Sequence, residues 1–215
     1  MALDNGVKGD YRIRQLIVIS GENQTETIHK EYGLRFIIDV NRVYFSPRLG
    51  PEHFRISKLV QPDEVVLDMF AGIGPFSIMI SKNSKASKIY AIDINKFAIE
   101  YLIKNIDINK VNNIFPIEGD VREVIHQIPF VDRIIMNLPM ESEKYLNYAI
   151  QKLKPIGQIH LHKICTEDEC GILKKELQNI IKKKGFELLN ITENNLGSYS
   201  ARKNHYCLDL NIKKH

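Results

Sequence analysis

Val65-Val-Leu-Asp68-Met-Phe-Ala-Gly72-Ile-Gly74-Pro-Phe76 decides the fold: an apolar run ends in an acid, two glycines follow, and an amphipathic stretch begins. The run is short and bounded by turn signals, which marks a buried strand, and the loop and helix after it make the first half of a βαβ unit. The alternation continues downstream. Strands are expected at Val65–Met69, Lys88–Ile92, Ile114–Glu118, Arg133–Met136 and Gly157–Leu161, with helices near Phe76–Lys82, Lys96–Ile106, Val121–Ile128 and Glu143–Leu153. Strands separated by helices pair in parallel, so residues 51–215 are expected to form a doubly wound, mostly parallel α/β sheet. A long helix, Thr166–Lys184, leads into strands Phe186–Thr192 and His205–Ile212, expected as an antiparallel hairpin at the sheet edge.

Upstream, Pro51–Leu59 suits a helix. The stretches Arg12–Ile19, Glu26–His29, Arg35–Val40 and Arg42–Phe45 are rich in β-branched and aromatic residues and are punctuated by Gly21 and Gly33. Residues 1–50 therefore read as a small β-rich segment. A chain of 215 residues builds one main core plus an appendage. With 44% hydrophobic and 26% charged residues, the composition is that of an ordinary globular protein, and no apolar stretch nears the roughly 18 residues of a membrane span. The amino terminus lacks the apolar core and cleavage site of a secretory signal. Cys165, Cys170 and Cys207 form no CxxC pair and no zinc pattern with His162 or His205, so they are expected to pack as small apolar groups in a reducing cytoplasm, with no metal bound. The net charge of +4 permits a polyanionic partner, although Lys174, Lys175 and Lys182 to Lys184 suit a solvated helix face.

The chemistry begins at the glycines. Ligands of open α/β sheets bind at the carboxyl ends of the strands, where this loop lies. Gly72 and Gly74 allow close backbone approach, but the third glycine that a dinucleotide site requires is replaced by Ser77. Asp68 would repel a pyrophosphate and suits the ammonium of a methionine moiety. Asp93 closes the next strand, placed to accept from ribose hydroxyls, and Asp120 closes the third, placed to receive an adenine amino group. One aspartate at a strand end only caps the following helix; three in succession behind a glycine loop point to a cofactor site. The fourth strand ends in Met136-Asn-Leu-Pro139-Met140, similar to the Asn-Pro-Pro-aromatic tetrad of amino-directed nucleic-acid methyltransferases, with Met140 where the stacking ring would stand. The plain alternative is a strand-to-helix turn with Asn137 bonded to backbone.

These runs, with Arg42-Val-Tyr-Phe-Ser-Pro-Arg-Leu49, Ala91-Ile-Asp-Ile-Asn95 and Gly119-Asp-Val-Arg122, resemble the archaeal and eukaryotic tRNA (guanine-37-N1)-methyltransferases, a family that includes the wyosine-precursor branch. The resemblance extends from about Gly9 to Cys207. It implies a Rossmann-like class I methyltransferase fold, S-adenosyl-L-methionine as cofactor, tRNA as partner and a monomer. It also implies that Tyr44, Asp68, Phe70, Asp93, Ile94, Asn95, Asp120, Val121 and Asn137 surround the cofactor. Glu52 would be the general base, Asn137 and Pro139 would act at the target base, and Arg12 would be the catalytic arginine, with Arg14 close enough to compete for that role. Many relatives have lysine where Met140 stands. Full-length relatives carry further amino-terminal tRNA-binding sequence, of which residues 1–50 would be a remnant, so weak tRNA affinity is expected.

The residue types make chemical sense. Guanine N1 bears a proton and becomes nucleophilic only as it loses it, which calls for a carboxylate such as Glu52. The charge then appears on O6, where Arg12 or the Asn137 amide would stabilise the transition state. Collinear approach to the methyl makes positioning the larger part of the acceleration. Plainer roles stand beside these: Glu52 could serve only the helix dipole, and Arg48, after Pro47, could be structural or contact RNA phosphate. His29 and His53 are expected as surface or packing residues. Methylation of the tricyclic wyosine precursor, aminocarboxypropyl transfer, and a catalytically silent RNA-binding module are the alternatives.

Overall fold

The structure, a computed structural model, describes residues 2–8, 13–22 and 24–215. Its order is β1 (Ala2–Lys8), β2 (Ile13–Val18), β3 (Glu26–Glu31), β4 (Leu34–Asp39), α1 (Gly50–Leu59), β5 (Val65–Asp68), α2 (Pro75–Asn83), β6 (Lys88–Asp93), α3 (Lys96–Asn109), β7 (Ile114–Glu118), α4 (Val121–Val124), β8 (Val131–Met136), α5 (Ser142–Lys152), β9 (Leu153–Cys165), α6 (Glu167–Lys183), β10 (Phe186–Ser198) and β11 (Asn204–Lys214).

Seven strands form one sheet in the order β10-β11-β9-β8-β5-β6-β7. The ladders among β7, β6, β5, β8 and β9 are parallel, and those joining β9 to β11 and β11 to β10 are antiparallel. Chain order reverses between β5 and β8, which opens a crevice above their carboxyl ends. Central strands such as β5 and β8 are mostly apolar on both sides because helices cover both faces, with Asp68 and Arg133 as their buried charged residues. Leu67, Ile134 and Met136 pack with Leu146 and Ile150 of α5 and Leu173, Leu177 and Ile181 of α6. Val66, Ile89 and Ile135 pack with Ile56 of α1, Phe76 and Ile80 of α2 and Leu102 of α3. Each fully buried large side chain of this kind contributes about 1.5–3 kcal/mol.

Local chemistry sets the element ends. Asn95 caps α3 by accepting from Phe97 N–H at 3.0 Å, and the helix stops at Lys110, in the left-handed region with φ 53°. Thr166 and Glu169 close a capping box on α6, as the expected helix start at Thr166 requires.

The β-rich amino-terminal segment is two separate hairpins, β1–β2 and β3–β4. Leu34, Phe36 and Ile38 of β4 lie in the same hydrophobic cluster as α1, α2 and α3. The strand expected at Arg42–Phe45 does not form: the amides of Arg42 and Val43 both turn back to the Asp39 carbonyl, and no strand among the described residues pairs with this stretch. β1 was not legible, since Ala-Leu-Asp-Asn-Gly-Val-Lys has no regular alternation and is held by its ladder to β2. The helix expected at Val121–Ile128 is one turn of α4 followed by a 3₁₀ turn, Ile125–Gln127. The hairpin strands run longer than expected, because each gains a full antiparallel partner. No helix among the described residues is long and apolar enough to cross a membrane.

Candidate cofactor and catalytic site

A cavity of about 430 Å³ opens above the carboxyl ends of β5, β6, β7 and β8. Tyr44, Phe70, Gly72, Asp93, Ile94 and Asn95 line it, as do Asp120, Val121, Asn137 and Pro139. Sequence reasoning therefore brought ten of its candidates to one wall. Its floor is the glycine loop, pinned where Met69 N–H donates to Ile135 O at 3.0 Å and Ala71 N–H to Ile92 O at 2.8 Å. Gly72 has φ +55° and donates its N–H to Asp93 Oδ2 at 2.7 Å, and Asn95 N–H donates to Oδ1 at 2.8 Å. Burial pushes the Asp93 carboxyl above its usual range, and these two amides pull it back. Each of its oxygens keeps a lone pair for a hydroxyl.

Asp120 both caps α4, accepting from Arg122 N–H at 2.8 Å, and pairs with the Arg122 guanidinium, which holds its carboxyl below the usual range. The capping role and the place in the cavity wall coexist.

Two of the cofactor candidates do not reach the cavity wall. Asp68 is fully buried behind it, and its Oδ2 accepts from the Ser77 hydroxyl at 2.9 Å. Desolvation, with a smaller push from Asp93, raises its carboxyl to about 7, against the pull of the Ser77 bond. Its Oδ2 holds the start of α2, and its buried Oδ1 has no hydrogen-bond partner among the described residues. Gly74 also lies behind the wall, with φ +86°; a Cβ there would fall 2.2 Å from Leu102 Cδ1. It allows α2 to pack on α3.

Asn137 is presented by a stapled turn. Ser142 Oγ donates to Met136 O at 2.9 Å and accepts from Leu138 N–H at 3.2 Å, while Ile164 N–H donates to Pro139 O at 3.0 Å. The Asn137 Oδ1 atom is buried and has no hydrogen-bond partner among the described residues. Met140 is half exposed, and a cation at this corner is Lys163, whose Nζ donates to Met140 O at 3.3 Å and to Glu143 at 2.7 Å. Among the wall residues that sequence reasoning did not assign to the site are Tyr145 and His53. Tyr145 stacks edge-on against Phe70 with centroids 5.1 Å apart, and His53, fully buried, packs on Phe76 and meets Glu31 at 2.9 Å. Nothing in an amphipathic helix marks which aromatic faces a cavity.

Glu52 faces the other way. It lines a second cavity of about 420 Å³ with Arg48, Arg55, Asn194, Asn195 and Leu196, while Leu49 and His53 of the same turn line the first. The Glu52 carboxylate is 3% exposed and takes both Arg55 Nε at 2.6 Å and Nη2 at 2.7 Å. Ligand atoms of Glu52, His162 and Cys207 lie within 4.8 Å of one another, but the Arg55 guanidinium already sits among them, 3.7 Å from the Cys207 sulfur. All three cysteines are free and buried. Arg12 lies outside the described residues, and Arg14 is described only through its backbone in β2.

Residues 27–189 match the TRM5/TYW2 methyltransferase domain. The chain belongs to this family. Among TRM5/TYW2 relatives, it is 44% identical to the Pyrococcus abyssi tRNA (guanine(37)-N(1))-methyltransferase Trm5b, over 96% of this chain and 61% of that protein. It is 35% identical to the Methanocaldococcus jannaschii tRNA(Phe) (4-demethylwyosine(37)-C(7)) aminocarboxypropyltransferase, over 97% of this chain and 83% of that protein. The crystal structure of M. jannaschii TYW2 in complex with AdoMet superimposes with a TM-score of 0.86 at 34% identity, covering 93% of this chain and 91% of that one. The chain thus spans about three fifths of the length of the curated guanine-37 methyltransferases it matches. The expected class I fold, mostly parallel with an antiparallel carboxyl-terminal hairpin, is the fold of these neighbours.

Proposed function

We propose that the chain binds S-adenosyl-L-methionine in the larger cavity and methylates N1 of guanosine 37 of tRNA. The observation that carries this is the orphaned Asn137 Oδ1 in the cavity wall. A buried acceptor without a donor costs about 1–3 kcal/mol, which a ligand N–H would offset. The surrounding groups fit the cofactor: Asp93 for ribose hydroxyls, Ile94 and Val121 as apolar faces for a planar base, and the Asp120 carboxylate at the edge of that base. When bound, the cofactor supplies an electrophilic methyl group.

The chain's own residues then handle the proton and the charge. For a guanine that enters from the side of the second cavity, Glu52, next to the wall residue His53, takes the N1 proton, the Asn137 amide donates to O6, and Pro139 restricts the backbone of that turn through its fixed φ. Arg12, or Arg14 in its stead, adds positive charge at O6, and Arg48, exposed at the mouth of the second cavity, meets RNA phosphate. In this reading residues 1–50 are what this chain holds of a tRNA-binding part, residues 51–215 are the catalytic domain, and the protein works as a cytoplasmic monomer without a metal.

A second reading has a specific observation behind it: the chain covers 83% of the aminocarboxypropyltransferase, far more than of the guanine-37 enzyme. The higher identity to the latter favours methyl transfer. Mass spectrometry of tRNA transcripts bearing G37 or A37, after incubation with the chain and cofactor, separates the readings. One methyl group on the G37 transcript alone is the expected result. An aminocarboxypropyl adduct on tRNA carrying the wyosine precursor would install the second reading, methylation of that precursor without reaction at G37 would reassign the substrate, and cofactor binding with no product would leave a silent RNA-binding module.

A further inference from the structure

Arg55 is shared. Its guanidinium reaches Glu52 on one edge and Asp209 on the other, with Nη1 2.7 Å from Asp209 Oδ2 and Nη2 3.1 Å from Oδ1. Asp209 in turn meets His160 Nδ1 at 2.5 Å and accepts from Asn194 Nδ2 at 3.0 Å. The tautomer of His160 follows from its other neighbour. Arg133 Nη1 lies 2.7 Å from His160 Nε2 and can only donate, so Nε2 accepts and the proton sits on Nδ1, donated to Asp209. Arg133 is itself matched by Glu64, at 2.7 and 3.0 Å. A line of polar groups thus runs from Glu64 on the surface side, through the sheet, to Glu52 in the second cavity.

The charges along it decide what Glu52 can do. Arg133 and Glu64 cancel. His160 and His162 are fully buried and held neutral by that burial, and the Cys207 thiol is pushed well up by its own. His205 faces His162 from β11, His53 lies beside Glu52 on α1, and Arg48 stands at the solvent end of the cavity. What remains is two carboxylates, Glu52 and Asp209, on one half-buried guanidinium, a cluster one negative charge in excess. An isolated Glu52–Arg55 pair would resist protonation, because taking a proton would leave the half-buried Arg55 cation without a counter-charge. With Asp209 present, protonating Glu52 leaves a matched Arg55–Asp209 pair.

We propose that Asp209 is a positioning residue for the base: it anchors the far edge of Arg55 and cancels its charge, so that Glu52 is both fixed in place and able to accept the N1 proton. This rests on Glu52 being the base. Nothing in the local sequence suggests it, since Asp209 lies 154 residues from Arg55.

The test uses the full chain with the Asp209→Asn, Asp209→Glu and Glu52→Gln variants, each first checked for folding by S-adenosylhomocysteine binding. Single-turnover methyl transfer to a G37 transcript is followed from pH 5.5 to 9. In Asp209→Asn the rising acid limb moves down by about one pH unit and the plateau falls about tenfold, with KM for tRNA unchanged. Asp209→Glu restores at least half of the rate. Carbon-13 titration of labelled glutamate, with Glu52 assigned by its loss in Glu52→Gln, reads the same shift without turnover: the midpoint of Glu52 drops in Asp209→Asn. An unmoved limb and midpoint, with Glu52→Gln inactive, overturns the role of Asp209 alone. Full activity in Glu52→Gln overturns the base and this inference together.

Discussion

The side chain of Asn105 pairs with the backbone of Ile37 as a neighbouring strand would. Oδ1 accepts from Ile37 N–H at 2.7 Å and Nδ2 donates to Ile37 O at 3.1 Å. One turn along α3, Asn109 does the same to Arg35, at 3.0 and 2.6 Å. Four helical residues rise about 6 Å and two strand residues about 6.7 Å, so the two spacings nearly match and the helix serves as an edge partner for β4. Asn105→Ala should strand the Ile37 amide and carbonyl and cost about 2–4 kcal/mol. Urea unfolding measures it, and a loss below about 0.5 kcal/mol would mean that the apolar contacts of β4 hold the hairpin without the amides.

Asp68 makes stability depend on pH. Its folded carboxyl is raised to about 7 from an ordinary 3.8, chiefly by desolvation. An acid raised in the folded state carries no penalty below 3.8, an increasing one through the window from 3.8 to 7, and the full one above it. Wild-type stability should therefore fall across that window relative to Asp68→Asn, by on the order of 4 kcal/mol at most. Denaturant titrations at several pH values compare the two proteins; parallel curves would show that the carboxyl ionises without cost.

Gly74→Ala combines a left-handed φ of +86° with a methyl 2.2 Å from the fully buried Leu102. The expected loss is about 2–4 kcal/mol, together with weaker S-adenosylhomocysteine binding as the loop shifts. Calorimetry on the purified variant reads both. Wild-type affinity and Tm would show that α2 and α3 have slack that these contacts deny.

Arg133 is among the largest fully buried side chains, and its charge is met by Glu64. Arg133→Met leaves that carboxylate facing an apolar wall and should cost about 3–5 kcal/mol, whereas the paired change with Glu64→Leu should recover most of it. A double-mutant cycle by chemical unfolding measures the coupling. Additive losses would mean that the pair contributes packing and not charge compensation.

The legible part of this protein was the part written in short-range pattern. The apolar runs ending in Asp68, Asp93 and Met136 announced parallel strands, and each strand end lies within a few residues of the loop it feeds, so Gly72, Asp93, Asp120 and Asn137 could be assigned to one crevice from the chain alone. Asp68, expected beside the cofactor, has its backbone at the ligand end of β5 but its side chain outside the cavity lining. Whether its side chain points into the cavity or back toward Ser77 is a rotamer choice made by packing.

What sequence by itself determined is the sheet, its helices and the ligand end of the strands, because periodicity fixes which face of each element is apolar and connection length fixes parallel pairing. Only the tertiary structure decided which groups surround Glu52 and how the amino-terminal hairpin docks. Arg55 meets Asp209, and Asn105 meets Ile37, across separations for which a chain carries no local signal. Those contacts exist because β11 pairs with β9 on the side where Arg55 of α1 reaches it, and α3 packs against β4 of the separate amino-terminal hairpin, and the charges and amides are matched only once the core has brought them together.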